Sequence, residues 1–170
     1  MANLDPTRPQ DVQFTPVSTD LIKVRLVGAA IWTLIPAIAC VVIAVVGGAG
    51  DDMEALVLLY VAAAVFVALF VWMLWLIPRQ VRAIGWSETA DEFLIRRGIM
   101  FKSLTVIPFG RIQYVDVSEG PIARHYGIAG IEIHTASQET SGKLEGLPAE
   151  DAAALRDRLA QRGRAELAGL

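Results

Sequence analysis

Ser118, Glu119 and His125 are the side chains whose types and order come nearest to a catalytic group, because a serine, an acid and a histidine form the hydrolytic triad. The acid here is adjacent in sequence to the serine, where it cannot orient a histidine. The sequence has one further histidine, His134, and contains no P-loop, GxSxG or HExxH motif. We therefore expect these side chains to decorate a turn and the protein not to be an enzyme.

Cysteine content and charge exclude further classes of site. The sole cysteine, Cys40, lies within a long apolar run, which rules out a disulfide within the chain and a zinc site built on thiolates. We expect neither a metal nor a cofactor. The net charge of -3 resides in Asp51, Asp52 and Glu54, since the other charges cancel. No basic surface of the size that nucleic acid requires is therefore expected.

The chain is too apolar for a soluble domain of its length. Of its 170 residues, 54% are hydrophobic and 19% are charged, whereas about 25% of a soluble domain is charged. Two runs without Asp, Glu, Lys, Arg or His, residues 26–50 and 55–78, are each long enough to cross a hydrocarbon core of about 30 Å as a helix. The sequence therefore predicts a transmembrane helical hairpin over residues 23–80, with helices at 26–47 and 55–78.

Basic residues flank the outer ends of this hairpin. Lys23 and Arg25 precede the first run, Arg79 and Arg82 follow the second, and the stretch between the runs has no Lys or Arg. Because cytoplasmic flanks are enriched in these residues, we expect a multi-pass protein of the cytoplasmic (inner) membrane with both termini in the cytoplasm. Residues 1–22 are predicted to form a flexible cytoplasmic arm.

From residue 81 onward the pattern changes to short β-branched segments separated by turn signals. Apolar and polar residues alternate in 113–117 and in 131–134, as is typical of a half-buried antiparallel sheet. The predicted strands cover residues 93–97, 101–107, 112–118, 128–135 and 143–147.

An amphipathic helix follows the strands. Pro148 opens it, Ala152, Leu155 and Leu159 share one face, and Gly163 is expected to end it. The pattern predicts a mainly β domain over residues 81–163, a small antiparallel barrel capped by this helix, with a tail at 164–170.

Three blocks in fixed order resemble the bacterial membrane-flanked PH-like domain family. They are RIQYV at residues 111–115, which follows Pro108, GPIARHYGIA at 120–129 and IEIHTA at 131–136. The resemblance extends from residue 86 to 159, and paired helices before the domain are also usual for that family. It implies a PH-like fold on a membrane anchor and, frequently, a neighbouring gene for a larger protein with several such domains.

The predicted partner-binding residues lie within these blocks: Arg111, Gln113, Arg124 and His125. The guanidinium groups of Arg111 and Arg124 suit bidentate bonding to a lipid phosphate or a partner carboxylate. Alternatively, both arginines bond loop carbonyls and stabilise the turns around Gly120 and Gly127.

The leading hypothesis is a membrane-anchored adaptor or scaffold that binds another protein through an exposed edge strand or the groove beside the C-terminal helix. The resemblance implies a larger membrane protein with several PH-like domains as the partner, and a homo-oligomer is an alternative. A second hypothesis is a sensor of anionic lipid at the inner leaflet. Its lipid-facing residues would be Arg79, Arg82, Arg96, Arg97 and Lys102.

The segment at residues 87–92 argues against a phosphoinositide site of the eukaryotic kind. Eukaryotic PH domains that bind such lipids surround the first strand-to-strand loop with basic residues. The corresponding segment here contains Glu88, Asp91 and Glu92 and no Lys or Arg. We expect this loop to repel an anionic headgroup.

Overall fold

A computed structural model describes residues 12–47, 53–136 and 141–168. These residues form two compact units. We call Ile22–Pro78 the apolar unit. The sheet unit consists of the described residues before Ile22 and those from Arg79 onward. The predicted loop residues Asp51 and Asp52, the first eleven residues of the predicted arm and the last two of the predicted tail lie outside the described residues.

The two apolar runs form long helices, α1 (Asp20–Gly47) and α2 (Met53–Arg82). Both are long and apolar enough to cross a membrane. Only 17% of the apolar stretch of α1 and 6% of that of α2 are buried, whereas the core helix of a soluble protein is mostly buried. Each helix extends past its predicted outer end. At the start of α1, the Asp20 N–H donates to Ser18 Oγ at 3.2 Å, which satisfies one of the unpaired donors of a helix N-terminus.

The first sheet is an antiparallel meander in the order β1-β2-β3-β4. Its strands are β1 (Thr15–Pro16), β2 (Gly85–Glu88), β3 (Glu92–Arg97) and β4 (Ser103–Pro108). Gly85 lies opposite both Pro16 and Arg96. The β3–β4 turn therefore lies at the end of the sheet where β1 leaves for α1 and where β2 arrives from α2.

The second sheet has three antiparallel strands in the order β5-β6-β7. They are β5 (Ile112–Ser118), β6 (Ile128–Thr135) and β7 (Gly142–Pro148), so the strands predicted at 112–118 and 128–135 are confirmed. A short 3-10 helix, Phe109–Arg111, leads into β5, and a short helix, α3 (Pro121–His125), joins β5 to β6. The C-terminal helix α4 (Ala149–Ala168) packs on the 3-10 helix and on β5, β6 and β7.

The core of the sheet unit draws side chains from both sheets and from α4, and these are almost completely buried: Phe93, Ile95, Ile107, Ile131, Ile133, Leu144, Ala152, Leu155 and Leu159. A mainly β domain with a helical cap is thus confirmed. The two sheets are not closed into a barrel, because β4 and β5 belong to separate sheets. The 3-10 helix turns the chain between them and replaces the strand pairing that closure would need.

Residues 15–21 belong to the sheet unit, although the sequence assigned them to a flexible arm. Thr15 and Pro16 pair with β2, and the N–H of Ser18 donates to the carbonyl oxygen of Gly146 on β7 at 2.7 Å. Val17 and Leu21 are buried, and Leu21 occupies the space that a side chain at residue 146 would need. This segment therefore joins an edge of the first sheet to an edge of the second.

Gly163 does not end α4, which continues to Ala168 across the predicted start of a tail at residue 164. The glycine is buried where the helix crosses the start of β5. A Cβ atom there would lie 3.3 Å from the carbonyl oxygen of Phe109 and 3.5 Å from the Cβ of Ile112. The missing side chain allows close approach of the helix to the strand, so Gly163 is a packing residue.

Candidate functional site

Of the serine, acid and histidine singled out from the sequence, the acid and the histidine each contact a different neighbour. Glu119 accepts a hydrogen bond from Arg124 Nε at 3.0 Å. The rings of His125 and Tyr126 form a T-shaped pair, with ring centroids 5.2 Å apart. The contact of Glu119 therefore stabilises the turn before α3. Within the described part of the chain, no group of three His, Cys, Asp or Glu side chains could hold a metal.

A groove of about 250 Å³ runs between β5 and α4, and we call it the β5–α4 groove. Its strand wall is formed by Ile112, Gln113, Tyr114 and Val115, and its helix wall by Arg156, Ala160, Gly163 and Arg164. A groove beside the C-terminal helix is one of the two routes to a partner predicted from the sequence. The strand wall of this groove belongs to an edge strand, the other predicted route.

β5 is an edge strand of its sheet, because β6 is its single neighbour among the described strands. The pairing with β6 shifts register between Ile112 and Tyr114, which makes Gln113 the extra residue of a bulge. As a result, Gln113 and Tyr114 are both exposed although they are consecutive. The bulge directs two neighbouring side chains towards the outside of the strand where the groove lies.

The helix wall follows from the spacing of residues along α4. Arg156, Ala160, Gly163 and Arg164 recur at steps of four, three and one, so they share one face of the helix. Ala160 and Gly163 are small residues, and both charged lining residues are arginines. The guanidinium of Arg156 is held by Asp157 at 2.7 Å. The groove therefore combines an unpaired strand edge with a basic helix face.

A stacked pair supports the strand wall from the outer face of the second sheet. The rings of Tyr114 and His134 lie 4.3 Å apart at an interplanar angle of 11°. His134 Nε2 is also 3.5 Å from a carboxylate oxygen of Asp116 on the same face. These contacts restrict the ring of Tyr114, which is half exposed at the mouth of the groove.

The family model for the bacterial PH domain matches residues 23–163 of this chain, which is most of its length. The chain belongs to the bacterial PH domain family. The match takes in most of α1, all of α2, strands β2 to β7 and most of α4, so the membrane-flanked PH-like fold implied by the three sequence blocks is confirmed.

One relative of this bacterial PH domain protein is the UPF0699 transmembrane protein YdbS of Bacillus subtilis (strain 168). It is 34% identical over 73 residues, which are 43% of the present chain and 45% of YdbS. The match thus spans less than half of either protein. No solved structure matches the chain. With two helices able to cross a bilayer and a transmembrane relative, this PH domain protein is a membrane protein.

The four predicted partner-binding residues of the PH domain lie in two places. Gln113 lines the β5–α4 groove, and Arg111 is exposed at the end of the 3-10 helix, next to the first groove residue. Arg124 and His125 are exposed on α3 and are not among the groove residues. The side chain of Arg124 is 74% exposed and pairs with Glu119, so it does not bond a loop carbonyl through Nε.

Sequence reasoning missed the helix wall of the groove and Tyr114. The spacing of residues 156, 160, 163 and 164 was a signal that could have found the wall, because it marks one helix face with two small residues between two arginines. Tyr114 stood in the first family-like block, where it reads as an ordinary strand residue.

The predicted lipid-facing residues lie in or next to elements that meet one end of the first sheet. Arg79 and Arg82 are in the last turn of α2, and Arg82 precedes Gly85 by three positions. Arg96 lies opposite Gly85, Arg97 is the last residue of β3, and Lys102 directly precedes β4. The guanidinium of Arg96 lies 5.0 Å from the ring centre of Phe14, beside β1.

The acidic β2–β3 turn lies at the opposite end of this sheet, where α4 contacts it. The Glu88 carboxylate is 3.1 Å from Arg158 and 4.0 Å from Arg162, and it is only 17% exposed. Arg162 also donates to the carbonyl oxygen of Thr89 at 3.0 Å. Glu88 thus links the first sheet to the C-terminal helix. These contacts give a structural role to an acidic residue that was predicted to repel an anionic headgroup.

Proposed function

We propose that this protein is a non-catalytic, membrane-anchored adaptor whose PH domain binds an extended segment of another protein in the β5–α4 groove. The observation that carries the proposal is the combination of an edge strand and a groove along it. An extended segment that adds to β5 would bond its unpaired backbone groups, and alternate side chains of that segment would enter the groove. The helix wall would then select among such segments.

The charges of the groove indicate the kind of segment that fits. Both charged lining residues, Arg156 and Arg164, are on the helix wall, and Arg111 is exposed beside the strand wall. A segment with acidic side chains would therefore be complementary, because guanidinium groups bond carboxylates in a bidentate manner. Such a segment could belong to a larger membrane protein with several PH-like domains or to a second copy of this chain.

A photo-crosslinking residue at position 113, placed in the full chain in its native membrane, should capture this segment. The same residue at position 90, in the β2–β3 turn at the far end of the first sheet, is the control. The peptide cross-linked at position 113 should be extended and rich in Asp or Glu. Equal capture of the same partner peptide at both positions would contradict a specific site in the groove.

Arg164→Glu should lower the cross-linked yield at position 113 by about tenfold or more, because loss of one member of a desolvated charge pair costs about 2 kcal/mol or more. Arg124→Glu reverses an exposed charge on α3 and should leave the yield unchanged. Quantitative mass spectrometry of the cross-linked peptide measures both. A tenfold loss with Arg124→Glu and none with Arg164→Glu would move the partner site to α3.

The adaptor is proposed to span the cytoplasmic membrane twice with the PH domain inside the cell. The basic residues of both helices support this orientation. Lys23 and Arg25 lie near the start of α1, and Arg79 and Arg82 lie in the last turn of α2. In a Cys40→Ala background, a cysteine at Glu54 should react with an impermeant maleimide on intact cells. A cysteine at Ala90 should react after permeabilisation alone. The reverse pattern would contradict the proposed orientation.

A second candidate function is contact with anionic lipid at the inner leaflet. It is favoured by the register of the first sheet, which places Arg96 and Arg97 at the end where the chain arrives from α2. Basic groups close to an anionic surface attract it by about 1 kcal/mol each at physiological salt. Contact with lipid would orient the PH domain on the membrane and would leave the β5–α4 groove available to a protein.

A further inference from the structure

The turn between β3 and β4 exposes three consecutive apolar side chains, Ile99, Met100 and Phe101, and we call these residues the apolar tip. Met100 is 87% exposed and Phe101 is 89% exposed, and each is more exposed than any other large hydrophobic side chain described in either unit. Single exposed apolar side chains are ordinary, but a run of three at a turn is unfavourable in water unless it serves a contact.

We propose that the apolar tip inserts into the surface of the anionic bilayer that anchors the chain. The inference deepens the lipid contact proposed above, because it names the apolar boundary below the headgroups as the place where Met100 and Phe101 reside. Three observations support a bilayer as the occupant: the flanking charge, the position of the tip in the sheet, and the construction of the turn.

The charge around the tip is complementary to anionic lipid. Arg96 and Arg97 precede the turn, Lys102 follows it, and the turn itself has no acidic residue. A short apolar segment bounded by basic residues is the composition of interfacial segments, in which apolar side chains enter the headgroup boundary and cationic groups remain among the phosphates. A protein-binding patch has no comparable need for basic residues on both sides.

The position of the tip follows from strand register within the sheet unit. Gly85 lies opposite Arg96, and Pro16 lies opposite Gly85. The turn at residues 98–102 therefore extends beyond the end of the first sheet where β1 and β2 connect to α1 and α2. The β2–β3 turn around Ala90 lies at the other end. A site for a soluble partner could lie at either end of the first sheet, so a soluble partner would not explain why the apolar residues are at the end that connects to α1 and α2.

The turn is built so that its apolar side chains remain outside the domain. Gly98 has a φ of +96°, and a Cβ atom at this position would lie 1.9 Å from the carbonyl oxygen of Phe101. The backbone of residue 101 therefore lies close against residue 98 and closes the turn, and the side chains of Met100 and Phe101 are exposed outside it.

The test uses the full chain in liposomes with the substitutions Cys40→Ala and Met100→Cys, and the new cysteine carries an environment-sensitive fluorophore. The chain with Cys40→Ala and Ala90→Cys and the same label is the matched control, since both residues are in exposed hairpin turns of one sheet. In liposomes containing phosphatidylglycerol, we expect the label at residue 100 to shift its emission to the blue. Nitroxide on the lipid acyl chains should quench it, and aqueous iodide should not. The label at residue 90 should behave in the opposite way.

The variant Phe101→Asp should lower the ratio of inserted to withdrawn label by about tenfold or more, because it removes the burial of an aromatic side chain. Phe101→Leu, which keeps an apolar side chain, should retain insertion. Replacement of Arg97 and Lys102 by Gln should reduce insertion with anionic lipid and have little effect with phosphatidylcholine alone. These variants separate the apolar contribution from the electrostatic one.

Three results would overturn the inference. Quenching of the label at residue 100 by headgroup nitroxide, without quenching from the acyl chains, would retain the lipid contact and refute insertion. Iodide quenching equal to that at residue 90 would refute both. A blue shift that resists all three quenchers, and that falls as the chains are diluted in lipid, would assign the tip to a second copy of the protein.

Discussion

A chain that stops after Pro148 should still insert into the membrane, but its strands should be unfolded. The deletion removes α4, whose Ala152, Leu155 and Leu159 are each no more than 1% exposed in the core. Replacement of one buried leucine by alanine costs about 2 to 5 kcal/mol, and a whole domain is stable by about 5 to 15 kcal/mol. Loss of both leucines and of the Glu88 contacts to α4 therefore exceeds what the domain can tolerate.

Pulse proteolysis of the full and truncated chains in a urea series measures this effect. Leu155→Ala in the full chain should lower the free energy of unfolding of the sheet unit by about 2 to 5 kcal/mol. Gln161→Ala, on the exposed side of α4, should change it by no more than about 0.5 kcal/mol. An unchanged protease midpoint after truncation would mean that α4 is an accessory to a core formed by the two sheets alone.

The parts of this fold that the sequence predicts are those whose information is local. β5 and β6 were predicted because Val115 and Val117, and Ile131 and Ile133, repeat with the period of a strand. The buried face of α4 was predicted because Leu155 and Leu159 are one helical turn apart. In each case, the sequence of one segment determines which of its side chains face the core, independently of the strand or helix against which the segment packs.

The role of residues 15–21 could not be predicted because it depends on distant partners. Thr15 and Pro16 are too few to show a strand period, and a proline argues against a strand unless it lies at an edge. Their pairing partners, Gly85 and Trp86, lie about 70 positions away across both apolar helices. The local signal was limited to Val17 and Leu21, two apolar residues four positions apart in an otherwise polar stretch.

The candidate site was predicted on one wall and missed on the other. Gln113 stood in a family-like block, whereas Arg156 and Arg164 lie on the exposed face of α4, where arginines ordinarily indicate solvent contact. A groove depends on the separation of two elements, and that separation is set here by Gly163 against the 3-10 helix. Gly163 was predicted to end the helix, because glycine commonly follows the last helical residue.

Gly98→Ala should destabilise the sheet unit more than Gly127→Ala, which is its matched control. Both glycines have positive φ, +96° and +63°, where an alanine costs about 1 to 2 kcal/mol. A Cβ at residue 127 meets nothing within 4 Å, so this cost should be the whole effect there.

At residue 98 the same strain is joined by a clash that side-chain rotation cannot relieve, since the atom 1.9 Å from the new Cβ is the backbone carbonyl oxygen of Phe101. The turn must open, which should add about 1 to 3 kcal/mol and disturb the β3–β4 register that buries Phe93 and Ile95. Pulse proteolysis of the two variants in urea measures the difference directly. Equal midpoints would show that the turn opens locally without cost to the core. In that case the tip could not be held out by the turn, and its exposure would need another cause.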